Sequence, residues 1–193
     1  MKPTVVDVDL LNLHLAPKEC LRSVFWEIDD QAEDLDPFFH KEEWFSSTLL
    51  EWGRCGKLLQ DGEDAFGFTQ YAPDTLFPRL ASFPWGRAVS RDAAYLGYCY
   101  VTEGRRGKGH GSALVRDVAR DVVERGYRAL EAVGDREWDG GWVLPEAFLD
   151  SCGFRVLREH PRFPLLRLDL VERERGRSAA SERVALRLPA FQA

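Results

Sequence analysis

The sequence predicts an α/β fold, and three observations carry that expectation. An apolar run at 93–102 empties into a glycine-rich basic loop that passes directly into an amphipathic helix; a second apolar strand follows that helix; and strand patterns stand on either side of this unit. A strand, a helix and a second strand require a crossover, so the strands at 93–102 and 129–135 are expected to be parallel neighbours. The chain has 193 residues, 45% of them hydrophobic, enough to bury a core within one domain. That domain is placed at 1–170, followed by a charged extension at 171–193.

Taken in order, residues 4–15 begin as a strand with Val6, Val8 and Leu10 on one side. They then change parity, with Leu11, Leu13 and Leu15 on the other, which predicts a bulge or bend near Leu10. Pro17 is placed to open a helix, and Leu21, Val24, Phe25 and Ile28 follow at helical spacing. After an acidic break, a second helix is expected from Lys41 to Trp52 with Gly53 closing it. Segments 56–60 and 65–71 flank a Gly-containing turn and read as a hairpin. Residues 73–92, rich in Pro and aromatics, form a long connection, in which Trp85, Arg87 and Arg91 either line a site or cover a sheet edge.

The run Ala93 to Thr102 is rich in Tyr, Val and Leu and suits a buried strand. From Ser112 the period becomes helical: Ala113, Leu114, Val118 and Val122 share a stripe with Val115, Ala119 and Val123, and Gly126 stops the helix after Arg125. Residues 129–135 form the second strand of the unit. A short helix over 145–152 and two strands at 154–159 and 164–170 complete the domain; Leu166, Leu168 and Leu170 alternate with Arg167 and Asp169, as a half-exposed strand requires. Three roles stay open for 171–193: a disordered tail, an added edge strand, or a contact with a second copy in a homodimer.

Composition excludes several classes. A net charge of −6 opposes nonspecific nucleic-acid binding, which needs a basic surface. No stretch approaches the roughly 20 apolar residues of a membrane span, and Asp7 and Asp9 interrupt the N-terminal apolar run, so a cytoplasmic protein is expected. The four cysteines, at 20, 55, 99 and 152, are widely spaced and read as free thiols. No His, Cys, Asp or Glu cluster has metal-ligand spacing, so no metal is expected.

The chemistry concentrates at Glu103-Gly104-Arg105-Arg106-Gly107-Lys108-Gly109-His110-Gly111-Ser112. A helix N-terminus presents unpartnered N–H groups and about half a positive charge, and a loop without side-chain bulk lets an anion reach them. Arg105, Arg106 and Lys108 add charge that a pyrophosphate would complement. A tight turn with solvated basic residues is the alternative. A P-loop is excluded because Gly107-Lys108 is followed by Gly109 rather than Ser or Thr. A dinucleotide fingerprint is excluded by spacing: counted from Gly109, the third glycine position is Leu114. A nicotinamide-dependent oxidoreductase therefore stays only as a distant alternative.

Arg-x-x-Gly-x-Gly, here Arg106, Gly109 and Gly111, does fit, and Ser-Ala-Leu-Val continues it as a helix. This pattern resembles the acetyl-CoA-binding motif of the GCN5-related N-acetyltransferase (GNAT) family. The resemblance is specific across 93–134. It implies a mixed, mostly antiparallel central sheet with a splayed parallel strand pair, flanked by helices. It also implies an acetyl group transferred from acetyl-CoA to a small-molecule or protein amine. Carried over residue by residue, the pyrophosphate falls to Arg106, Gly107, Lys108, Gly109, His110, Gly111 and Ser112, and the pantetheine arm to the backbone of Cys99, Tyr100 and Val101. His110 stands where the family usually has an aliphatic residue, and its ring is expected to cover the helix start.

Direct attack on a thioester needs a neutral amine, and an alkyl amine with a pKa of about 10.4 is protonated at neutral pH, so a base is useful. A carboxylate within an apolar strand is costly unless it is paired or functional, which makes Glu131 the candidate base, or else a partner for Arg128 or Arg105. The family's usual proton donor is a Tyr four residues before a Gly-Phe pair; here that position is Leu149. Tyr98, Tyr100, Ser151 and Cys152 are the substitutes, with Tyr100 and Cys152 placed beside Glu131 as the catalytic set. A protein of this fold that binds acyl-CoA without turnover, as a sensor or interaction module, is the competing expectation.

Overall fold

A computed structural model describes residues 3–29, 36–62, 64–85 and 88–170. The extension at 171–193 and Arg87 lie outside these residues. Eight strands form one mixed sheet in the order β1-β2-β3-β4-β5-β8-β7, with β6 paired to β5 off this path. In chain order these are β1 (Thr4–Asp7), α1 (Lys18–Leu21), α2 (Pro37–Glu51), β2 (Gly56–Asp61), β3 (Asp64–Ala72), β4 (Ala93–Val101), α3 (His110–Glu124), β5 (Ala129–Asp135), β6 (Leu144–Pro145), α4 (Glu146–Ser151), β7 (Arg155–Arg158) and β8 (Leu165–Asp169). The ladder is antiparallel except where β5 meets β4 and β6.

β4 and β5 pair over only three positions, Ala93 with Ala129, Ala94 with Leu130 and Tyr95 with Glu131. Beyond them the strands diverge. A register shift against β3, where Gln70 faces Tyr98 but Tyr71 faces Leu96, inserts Gly97 as a bulge that bends β4 at this point. The β5 edge freed by the divergence is taken up at its far end by β6, which pairs with Gly134 and Asp135. The expected splayed parallel pair is thus present, and it leaves the last residues of β4 with a strand on one side only.

The two sheet faces carry separate cores. On one, Leu58, Phe68, Tyr95 and Tyr98 pack with Trp26, Trp44 and Phe45 from the α1 to α2 region. On the other, Leu96, Leu130, Leu166 and Leu168 pack against Val115, Val118, Ala119 and Val122 of α3. The stripe read from the sequence is therefore the buried face of α3. Tyr71 also crosses to this side, where its hydroxyl donates to Asp121 at 2.7 Å.

Several local readings are corrected. The first strand stops at Asp7 because the Asp9 carboxylate accepts from the backbone of Leu11 and Asn12, closing a turn rather than a bulge. Leu11 is then exposed while Leu13 enters the core. Pro17 does open a helix, but α1 ends at Leu21 and only turns follow to residue 28. The second helix starts a turn earlier than periodicity suggested, since Asp36 caps it through Phe38 and Phe39 and Pro37 fits its first position. α3 begins at His110, two residues before the change of period.

Candidate active site

The glycine loop is shaped by two left-handed residues. Gly107 and Gly109 have φ of +73° and +75°, a region in which a side chain is strained, and open space surrounds both. Gly109 is the residue before α3, and no side chain caps the helix there. The first N–H groups of a fifteen-residue helix therefore point into the loop without partners, carrying the positive end of its dipole. Gly111 has a different reason: a Cβ there would lie 2.8 Å from the Phe148 ring of α4. That close approach keeps α4 against the helix start.

Arg106 is fixed by its own strand end, its Nε donating to the Val101 carbonyl at 2.8 Å while the guanidinium lies 5.4 Å from the Tyr100 ring. His110 stacks edge-on against Phe66 at 5.0 Å, on the ring that Arg105 covers from 4.7 Å. The His110 ring thus packs on Phe66 beside the helix start.

From this loop a cavity of about 660 Å³ runs between the end of β4 and the 138–145 segment that includes β6. The structure brings Cys99, Tyr100, Val101, Arg106, Gly107, Gly109, His110, Gly111 and Ser112 to its wall; Lys108 stays on the exposed outer side of the loop. Ser112 and Ser151 stand on the α3 side of the sheet, Tyr98 and Tyr100 on the other, so the cavity passes through the V from face to face. Past the bulge, the β5-facing edge of β4 has no strand beside it, and its backbone groups need partners from within the cavity.

Two of the sequence-predicted catalytic residues do not reach this wall. Glu131 is fully buried between strands, where its carboxylate accepts from Arg167 at 2.8 Å and from the Ser90 N–H at 3.0 Å. Its partner is an arginine on the neighbouring β8, neither Arg128 nor Arg105, and the cost of burying the charge is met there. Arg167 also binds Asp92 at 2.9 Å, and this hydrogen bond holds the Asp92 carboxyl below its usual value of 3.8. Cys152 lies behind the wall in the α3 core, 3.6 Å from the Ser112 hydroxyl, and burial raises its thiol pKa. Leu149, at the position of the expected Tyr, is fully buried in the same core.

Tyr100 does line the cavity, its phenol raised by burial. Tyr98 lines it too, buried beneath Tyr100 with its hydroxyl 3.6 Å from Cys20, whose thiol burial pushes up to about 12. Trp85 donates to the Phe163 carbonyl at 2.8 Å and packs on His160, and Arg91 is exposed. Neither contributes to this wall.

One residue escaped the sequence. Glu19 of the short α1 lines the cavity beside Tyr98 and Tyr100, and among the described residues it is the only acid on the wall. No local pattern marks it, because the fold alone carries α1 across the end of β4. Among the described residues no group of His, Cys, Asp or Glu could hold a metal ion, and no helix is long and apolar enough to cross a membrane.

Comparison with known proteins gives the family and the fold. Residues 18–138 match the model of the Acetyltransferase (GNAT) family. No curated protein matches the chain at a significant level. Among solved structures, an N-acetyltransferase from Staphylococcus aureus Mu50 superposes with a TM-score of 0.59 at 15% identity, covering 88% of this chain and 99% of that one. The PaiA N-acetyltransferase from Thermoplasma acidophilum, solved in complex with coenzyme A, gives 0.60 at 11%, over 88% and 99%. A ribosomal-protein-alanine N-acetyltransferase from Brucella melitensis gives 0.57 at 14%, over 86% and 99%.

Proposed function

The chain belongs to the acetyltransferase (GNAT) family, and from that premise we propose that it transfers an acetyl group from acetyl-CoA to a primary amine. The observation that carries this is the continuity of one cavity: it starts at the uncapped α3 N-terminus, follows the unpaired edge of β4 and opens beside Glu19. A pyrophosphate suits the first part, where helix N–H groups, Arg106 and the bare backbone of Gly107 and Gly109 converge. Lys108 adds charge from outside the wall. An extended amide chain suits the second, where Cys99, Tyr100 and Val101 present backbone groups. The solved Thermoplasma protein that shares this fold carries coenzyme A.

Bound there, acetyl-CoA supplies an acetyl thioester, whose transfer forms an amide C–N bond as the C–S bond breaks. The residues of the chain manage the protons. Glu19 holds the incoming ammonium and draws its proton away, directly or through water, since among the described residues no other carboxylate lines the cavity. Tyr100, protonated at neutral pH, is the hydroxyl placed to return a proton to the departing sulfur. Ser112 and Ser151 are the hydroxyls on the opposite wall, with Cys152 behind Ser112. Glu131 keeps the two strands together and takes no proton.

A second reading, acyl-CoA binding without turnover, is favoured by one observation: Leu149 gives the core a side chain where many relatives place a hydroxyl in reach of the sulfur. Calorimetric titration followed by a thiol-release assay separates the two. Acetyl-CoA is expected to bind wild type and not the Arg106→Glu, Gly109→Glu double variant, which repels phosphate and strains the turn. Coenzyme A release with amines then marks the transferase; binding without release under any amine marks the sensor. No binding to wild type would remove both.

A further inference from the structure

Resting on the acetyltransferase reading above, we propose that the acceptor is a small primary amine carrying a single positive charge on a flat apolar body, gripped by Glu19 and the rings of Tyr98, Tyr100, Trp138 and Trp142. Charge argues first. Three of the buried carboxylates are already engaged: Glu27 by Lys41 and Gln70, Glu131 by Arg167, Asp135 by Arg162. Among the described residues Glu19 is the one carboxylate that lines the cavity, and no cation pairs with it. Glu19 is exposed at the mouth, so an ammonium held there finds one counter-charge, and a second ammonium carried deeper along the cavity would be desolvated without compensation.

The rings define the body. Tyr98 and Tyr100 stack with centroids 6.3 Å apart and planes 9° from parallel, and Trp142 leans on Tyr98 at 5.1 Å. Trp26 donates to the Trp142 carbonyl at 3.3 Å, anchoring that segment to the core. At the rim Trp138, 40% exposed, donates to the Gly141 carbonyl at 3.0 Å, which fixes the indole over the opening. Ring faces attract a cation and stack on a flat partner, so the ring wall and Glu19 select for the same kind of molecule. A carboxylate on the acceptor is disfavoured. It would face Glu19, and the only arginine on the wall, Arg106, is held at the loop end by the Val101 carbonyl.

Phenethylamine and phenylalanine test this directly, because they share ring and amine and differ by one carboxylate; spermidine supplies the multiply charged comparison. With acetyl-CoA present, thiol release should favour phenethylamine over phenylalanine by about a hundredfold in kcat/KM, the usual scale of a like-charge penalty. Spermidine should be turned over poorly. Calorimetry of phenethylamine in the presence of coenzyme A gives a readout independent of turnover. Glu19→Gln should raise that Kd by about tenfold, as loss of one charge-assisted contact does, while the Kd for coenzyme A stays at its wild-type value. Trp142→Leu should weaken phenethylamine in the same way. Equal or better turnover of phenylalanine or spermidine, or a Glu19→Gln variant that binds phenethylamine as wild type does, overturns the acceptor assignment and leaves the acetyltransferase standing. Failure of wild type to bind acetyl-CoA, or to release thiol with any amine, overturns both.

Discussion

At the scale of single residues, the site separates groups that face the cavity from groups that hold its walls. Glu131 belongs to the second kind. Replacing it by Gln keeps the shape but leaves Arg167 with one fewer charged partner, while Asp92 and Asp169 still bind it. Glu131→Gln should therefore cost about 1–2 kcal/mol, less than full removal of a buried partner, seen as a lower urea midpoint. Acetyl-CoA binding should be unchanged, and a collapse of turnover in a folded variant would return Glu131 to the catalytic set. The sequence argument about this residue was half sufficient. A carboxylate in an apolar strand does need a reason, but the reason, an arginine 36 positions away across β8, is set by strand register, which periodicity does not encode. Arg106, Gly109 and Gly111 were legible because their chemistry is local: turn, helix start and charge lie within six residues. Glu19 was illegible for the opposite cause. It reaches the cavity only through the packing of α1.

At the scale of elements, boundaries followed side-chain capping more than periodicity. The acidic residue ahead of Pro37 was passed over as part of a break, yet it satisfies two N–H groups of α2. Asp36→Ala should lower stability by about 1 kcal/mol in urea denaturation without altering acetyl-CoA binding, since α2 packs on the far face of the sheet from α3. Asp9 likewise ended β1 early. The helix α3 was read almost whole because its buried stripe, Leu114, Val118 and Val122 with Val115 and Ala119, repeats at one clear period. Its start was missed by two residues, because His110 and Gly111 belong at once to the loop chemistry and to the first helical turn.

At the scale of the whole molecule, the sheet order and the splayed pair agreed with the resemblance drawn from one motif, although the three solved structures named above share only 11–15% of residues with this chain. What sequence could not supply was the through-sheet course of the cavity, which depends on a bulge at Gly97 and a two-residue strand at 144–145. The three residue pairs that join β4 to β5 have a mechanical consequence. Among the described residues they are the only ladder between a four-stranded half carrying α2 and a half built from β5, β6, β8 and β7. The backbone seam is narrow and side-chain packing carries the rest of the join, so the halves resemble the covers of a book stitched near one end of the spine. A ligand that hydrogen-bonds along the open edge of β4 adds stitches further down. Amide exchange at 97–101 and 132–135 should slow when coenzyme A binds, well beyond the protection gained at the α3 start, and the two covers should then unfold as one.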